Sequence, residues 1–286
     1  MTKLTSPKGE LQLGAAYPTV LINDQLRIMD QSPEIFIQLK DGNLDGILAL
    51  AHWGHKVGAD MVDILINHPD LDEVDLLPRI VQRVKDEIGC PIALDSRNPS
   101  ALDAALQVLH PHKALINSVT AERASLEELL PLAKKYNAAV VGMPVGHIHG
   151  LPKTVEGRLV EAKVILDACK AAGIPREDVV MDAICLVSAA EPLSFNVTME
   201  TLKAFRDELG VATTLGIGNA GFGMPDPTVI DLAYLVAGIP WGLDSALVNP
   251  ATRGLLETVR AVDFLAGRDI AGRRYIQNYR KTKKAA

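Results

Sequence analysis

Short runs rich in β-branched residues alternate with longer amphipathic stretches along almost the whole chain. The short runs predict strands at 19–23 (TVLIN), 61–67 (MVDILIN), 91–96 (PIALDS) and 113–118 (KALINS). Four more follow at 138–144 (AAVVGMP), 179–184 (VVMDAI), 213–219 (TTLGIGN) and 242–249 (GLDSALVN). Between them apolar positions recur at helical spacing, as in LDGILALAHWGHKVG, SLEELLPLAKKYN and TVEGRLVEAKVILDACKAAG. The last stretch stops at Gly173 with Pro175 beyond, a glycine–proline helix terminus. Eight strand–helix units in about 250 residues predict an α/β fold, a (β/α)₈ TIM barrel. The barrel core is expected at about 19–265, within a single domain spanning 1–286. A doubly wound open sheet shows the same alternation and is the rival architecture. No linker or low-complexity segment interrupts the pattern.

The polar residues at the strand ends sharpen this picture. Asn23, Asn67, Asp95, Asn117, Asp182, Asn219 and Asn249 all fall at or near predicted carboxyl ends. In a barrel these ends converge on one face, where active sites of this architecture are built. Turn and helix-cap chemistry accounts for several of them. Asp95 and Asp182 differ, because each lies within an apolar run (IALDS, VVMDAI). A buried carboxylate needs hydrogen-bond donors, and a ligand rich in N–H groups would supply them.

Composition narrows the classes of partner. The 286 residues carry a net charge of −6 and only 4% aromatics, which argues against nucleic acid. No apolar run approaches the roughly 18 residues of a bilayer span, and MTKLTSPKGELQLG opens the chain without an apolar signal region. No membrane association is expected. Cys90, Cys169 and Cys185 lie far apart and form no C-x-x-C pair. A reducing, cytoplasmic setting is therefore expected. A homodimer is the expected assembly, on no signal from composition.

The stretch TTLGIGNAGFGMPDP contains a G-x-G-x-x-G at Gly216, Gly218 and Gly221. A dinucleotide fingerprint should open a βαβ unit and run straight into a helix. Here Pro225 and Pro227 delay the next helix, and too little chain follows for a nucleotide domain, although Asp244 sits where a ribose-binding acid would. Two other readings remain: a structural turn, or glycines that clear space for a flat ligand beside Asn219.

Four segments then carry a family resemblance: LDSRNPSALDAAL, ALINSVTAERASLEELLPLA, VVMDAICL and LGIGNAGFGMP. In that order they resemble the pterin-binding barrel of methyltetrahydrofolate:corrinoid protein methyltransferases, from about residue 44 to about 265. The pterin module of cobalamin-dependent methionine synthase is similar. The resemblance implies that Asp95, Asn117 and Asp182 bind the hydrogen-bonding edge of the pterin. It also implies that Asn219, with Gly218 beside it, contacts the methyl-bearing N5. Asp63, Gly221, Phe222 and His147 are further candidates for substrate or partner contact. The residue types suit the task. An aminopyrimidinone edge offers two N–H groups to one carboxylate, and an asparagine amide can donate to N5 or accept from its protonated form.

The implied substrates are tetrahydrofolate and methyltetrahydrofolate. The D-x-H-x-x-G motif of corrinoid carriers is missing, so the corrinoid (cobalamin) is expected on a separate protein, and no protein-bound metal is expected. Departures from the family pattern mark a divergent branch. VLINDQLRIM replaces the usual Gly-Glu-Arg-Ile-Asn, VDILIN keeps Asp63 but has Leu65 where Asn is usual, and Gly218 replaces a common serine.

Other signals carry less. His147 and His149 in GHIHG lack a third metal ligand, which leaves a loop that touches ligand or partner as the alternative. His52 and His55 read as surface or packing residues. From Arg268 to Lys284 the chain has seven Lys/Arg against one Asp, either a solvated helix end or a docking patch for an acidic partner. The expected activity is methyl transfer between a corrinoid protein and N5 of tetrahydrofolate. One rival is dihydropteroate synthase, whose Ser-Arg-Lys after the seventh strand is replaced here by GIGNAGFG. The other is a non-catalytic pterin-binding subunit of a corrinoid complex.

Overall fold

The computed structural model describes residues 1–285 apart from His147. Strands β1 (Thr2–Ser6) and β2 (Gly9–Leu13) form an antiparallel hairpin with Ser6 opposite Gly9. The eight strands that follow are parallel: β3 (Val20–Arg27), β4 (Met61–Leu65), β5 (Ile92–Asp95), β6 (Leu115–Thr120), β7 (Ala139–Met143), β8 (Val179–Asp182), β9 (Ala212–Gly216) and β10 (Ser245–Val248). Every one overlaps a run predicted from the sequence. Pairing of β10 with both β9 and β3 closes them into a barrel and decides against the open sheet.

Helices α1 (Pro33–Lys40) and α2 (Asp45–Val57) separate β3 from β4. The next connections carry α3 (Glu73–Glu87), α4 (Pro99–Leu109), α5 (Arg123–Tyr136), α6 (Val155–Ala171), α7 (Ser194–Ala204) and α8 (Pro227–Trp241). The chain ends with α9 (Leu255–Leu265) and α10 (Arg273–Ala285). Local chemistry sets several boundaries. The Asp72 carboxylate accepts from the Val74 and Asp75 N–H groups to start α3, and Asn98 does the same for α4 ahead of Pro99. Gly173 follows α6 at a φ of 74°, the left-handed terminus that the sequence predicts.

Strand parity positions the site. Val20, Ile22, Met61, Ala93, Leu115 and Val180 belong to the apolar cluster inside the barrel. Their neighbours Leu21, Val62, Leu94, Ile116 and Met181 pack in the outer cluster beneath the helices. Side chains two residues beyond an inward position also point inward. Counting on from Ile22, Met61, Ala93, Leu115 and Val180 gives Asp24, Asp63, Asp95, Asn117 and Asp182. The barrel is therefore filled with apolar side chains and topped, at its carboxyl end, by a polar layer.

The opposite end is closed by the hairpin, which the sequence reading did not anticipate. Leu4 and Leu13 are fully buried and join the interior cluster. Thr5 and Lys113 exchange two hydrogen bonds, of 3.2 and 2.7 Å, that tie the hairpin to the approach to β6. The basic tail also lies at this end. Arg274 bonds Asp60, just before β4, at 2.6 Å, so α10 starts far from the strand carboxyl ends. No helix among the described residues is long and apolar enough to cross a membrane.

Candidate functional site

Asp95 and Asn117 are direct neighbours in the β5–β6 register. The Asn117 amide donates to Asp63 Oδ1 at 3.1 Å, while the other Asp63 oxygen is buried without a partner. Burial raises the Asp63 carboxyl well above the usual range, and the nearby Asp95 and Asp24 carboxylates add to this. Burial also pushes Asp95 up to about 6, opposed by the Arg27 and Arg97 guanidinium groups. Asp182, across the mouth on β8, is likewise pushed by burial to about 6. Its Oδ1 accepts from the Ile184 N–H at 2.7 Å. These three acids are desolvated and under-supplied with donors, the condition that a ligand with several N–H groups relieves.

Asn219 closes the fourth side. It is exposed in the turn after β9, and its amide donates to the Cys185 carbonyl at 3.3 Å. Beside it opens a cleft of about 440 Å³, lined by residues that include Asp24, Arg27, Gly218, Asn219, Phe222 and Asp231. The cleft adjoins the polar layer without containing Asp95, Asn117 or Asp182, so the mouth comprises a carboxylate floor and a neighbouring recess.

The glycines divide by role. A Cβ on Gly216 or Gly218 would meet nothing within 4 Å, which leaves open space beside Asn219. Gly221 is different. It is buried, a Cβ there would fall 2.4 Å from the Pro227 carbonyl oxygen, and its N–H donates to Asp231 at 2.7 Å. It shapes the entry to α8 and does not line the cleft, whereas Phe222, 68% exposed, does. Of the remaining strand-end residues, Asn23 is buried against α2 and bonds the Leu50 carbonyl and the Gln25 N–H. Asn249 accepts from Ala251 N–H in a turn. His147 lies outside the described residues. His149 sits in the loop after β7, anchored by the buried Glu161, whose Oε1 accepts from the Ile148 and His149 N–H groups at 2.7 Å each.

The family model described as pterin binding enzyme matches residues 29–249. The chain belongs to the pterin binding enzyme family. Among curated relatives, it is 24% identical over 233 residues to methylcorrinoid:tetrahydrofolate methyltransferase of Eubacterium limosum, covering 80% of this chain and 84% of that one. It is 26% identical over 205 residues to methionine synthase of Mycobacterium tuberculosis, covering 67% of this chain and 17% of the relative. Among solved structures, 7,8-dihydropteroate synthase from Vibrio fischeri superposes with a TM-score of 0.69 at 19% identity, covering 93% of this chain and 98% of the other. A dihydropteroate synthase from Coxiella burnetii in complex with pteroic acid gives 0.70 at 16% identity, covering 93% and 99%. These structural likenesses establish the barrel.

In this pterin binding enzyme several site residues escape sequence reasoning. Asp24 is one, although its place two residues beyond the inward Ile22 gives a parity signal for the mouth. Arg27, which acts on both Asp63 and Asp95, stands in a segment without the usual family motif. Arg158 and Glu161 are both fully buried on α6, three residues apart, where a surface helix is expected to present charge to solvent. Among the described residues no three His, Cys, Asp or Glu side chains are grouped to hold a metal.

Proposed function

We propose that the protein transfers a methyl group between a corrinoid protein and N5 of tetrahydrofolate. The observation that carries this reading is the placement of Asn219 at the open mouth beside a floor of desolvated acids. Asp95, Asn117 and Asp182 would accept from and donate to the pterin edge, and Asn219 would address N5. When it is presented by its carrier, the corrinoid supplies cobalt as methyl donor or acceptor in an in-line displacement. The residues of this chain then have positioning work to do and need no acid–base pair on the carbon. Asn219 suits both directions, since one amide donates to unprotonated N5 and accepts from its protonated form.

The recess argues against the dihydropteroate synthase reading. Its charged lining among the described residues is one cation, Arg27, against two carboxylates, Asp24 and Asp231. The β9 turn GIGNAGFG adds no cation. A pyrophosphate leaving group calls for the opposite balance. The rim supports a protein partner instead. Met29, Ile148, Leu151, Leu193, Phe222 and Met224 are exposed large apolar residues on loops that follow barrel strands. Such a surface suits an incoming protein domain.

The deciding experiment mixes the protein, tetrahydrofolate and a methylated corrinoid protein and follows the corrinoid spectrum. Demethylation matched by methyltetrahydrofolate formation is expected. Tetrahydrofolate binding without transfer from any methylated corrinoid protein would indicate a non-catalytic subunit. Condensation of a dihydropterin pyrophosphate with an arylamine would indicate the synthase.

A further inference from the structure

Ile184, just past the carboxyl end of β8, has a φ of 63°, a left-handed conformation that β-branched side chains rarely adopt. Three hydrogen bonds surround it. Its N–H donates to Asp182 Oδ1 at 2.7 Å, its carbonyl accepts from Thr198 Oγ1 at 2.8 Å, and the preceding Ala183 carbonyl accepts from Arg158 Nη1 at 2.6 Å. Arg158 also donates to Thr198 Oγ1 and to the Pro152 carbonyl, each at 3.2 Å. One residue further on, the Cys185 carbonyl receives the Asn219 amide. Residues 183–185 thus connect a floor carboxylate to Asn219, and the whole segment is clamped from behind by one arginine.

That arginine is an expensive choice. Arg158 is fully buried, its Nη2 has no hydrogen-bond partner, and no ion pair to a carboxylate forms among the described residues. A buried, unpaired guanidinium is retained at substantial cost in desolvation. A residue that served only to brace the loop would not need a charge.

We propose that Arg158 is a positioning residue for the ligand floor, acting through Ala183, Ile184 and Thr198 to set both the Asp182 carboxylate and the carbonyl that seats Asn219. The inference rests on the pterin-binding reading of Asp182 and Asn219 and extends it behind the site. The charge has a second effect, because Arg158 favours the ionised form of Asp182 against burial. The other titratable groups facing this pocket are Cys185 in the same loop and Tyr234 and Asp231 on α8. Burial pushes Cys185 up to about 12 and raises Tyr234 as well, so neither carries charge near neutral pH. The Asp231 carboxylate is engaged by the Gly221 N–H. Arg158 is thus the positive charge that acts on Asp182.

The test reads the Asp182 carboxyl directly by ¹³C NMR titration, assigned with Asp182→Asn, alongside tetrahydrofolate affinity as a function of pH. In Arg158→Met the Asp182 midpoint should rise by about one pH unit. Tetrahydrofolate should bind about tenfold more weakly at pH 5, the deficit narrowing to about twofold at pH 7 and closing as the pH is raised further. Arg158→Lys, which keeps the charge, should return the midpoint towards the wild-type value. Thr198→Val removes the Ile184 bond at nearly constant volume and should weaken binding several-fold; it carries the test if Arg158→Met does not fold. A folded Arg158→Met with unchanged midpoint and binding profile, or a Thr198→Val variant unchanged in both, overturns the proposal. Failure of the wild-type protein to bind tetrahydrofolate, with the midpoint still shifted in Arg158→Met, would remove the ligand reading and leave the role of Arg158 towards Asp182 standing.

Discussion

Asn219 donates one amide N–H to the Cys185 carbonyl at 3.3 Å, which leaves its oxygen and second N–H available. The side chain is therefore oriented before anything binds. Contact with N5 that strengthens as charge moves on that atom predicts a loss in turnover larger than the loss in affinity for Asn219→Ala. A hydrogen bond to a charging group contributes about 1.5–3 kcal/mol, or roughly 10- to 150-fold in rate. Single-turnover transfer and equilibrium binding, measured separately, check the split. Wild-type turnover in the variant would remove Asn219 from the reaction.

The floor acids give a prediction about pH. Burial holds Asp95 and Asp182 at about 6, above the ordinary carboxyl range. Folding thus favours their protonated forms, so their contribution to stability is fully present below the unfolded-state range and is lost as pH rises through about 6. Ligand binding runs the other way, because a carboxylate must be ionised to accept two N–H bonds. Tetrahydrofolate affinity should rise between pH 5 and pH 7 with a midpoint close to about 6. Apo stability contributed by these groups should fall between about pH 4 and pH 6 and level off above that. Asp95→Asn and Asp182→Asn should each flatten both curves and weaken binding by about 2 kcal/mol. Calorimetry across this range, with denaturant melts of the same samples, tests both signs.

Most of the barrel was legible in the sequence because short, nearly continuous apolar strands and period-3.6 helices alternate without interruption. Asp95 and Asp182 stood out as acids inside apolar runs, and parity explains why both face the mouth. The same parity sends Asn23 outwards, against Gly54 of α2, where a Cβ would fall 2.1 Å from the asparagine Nδ2. Strand-end position alone did not separate these cases. The hairpin had a local signal, alternating TKLTS and ELQL around Pro7 and Gly9, which is weak beside the longer runs. Arg158 had none, since its role depends on a loop twenty-five residues away.

A stability prediction follows from the base of the barrel. Leu4 and Leu13 are fully buried among the interior side chains, so Leu4→Ala leaves a cavity that the closed barrel cannot collapse. The expected loss is about 3 kcal/mol, visible as a lower melting temperature. Tetrahydrofolate affinity should stay within about twofold of wild type in the folded fraction, because additivity holds for sites with no shared partners.

A last prediction concerns the rim. Phe222 is 68% exposed beside Asn219 and contributes to the recess lining. Aromatic anchors dominate many protein interfaces, so Phe222→Ala should slow methyl transfer from a corrinoid protein by about tenfold or more. Tetrahydrofolate binding should change far less. Chelator treatment should leave the transfer rate intact. A requirement for added zinc, or equal losses in folate binding and transfer for Phe222→Ala, would count against the partner surface.

The hairpin plug gives the two ends of the barrel different genetic signatures. Lesions around Leu4, Leu13 and the Thr5–Lys113 tie should act through the amount of protein that survives cellular quality control. Lesions around Asp95, Asp182 and Asn219 should leave abundance near normal and remove the phenotype conferred by the enzyme. A saturation library scored once for abundance and once for growth would therefore separate into two maps that meet at mid-barrel. Suppressors of base lesions should arise as general stabilisers anywhere in the chain, whereas mouth lesions should resist such rescue.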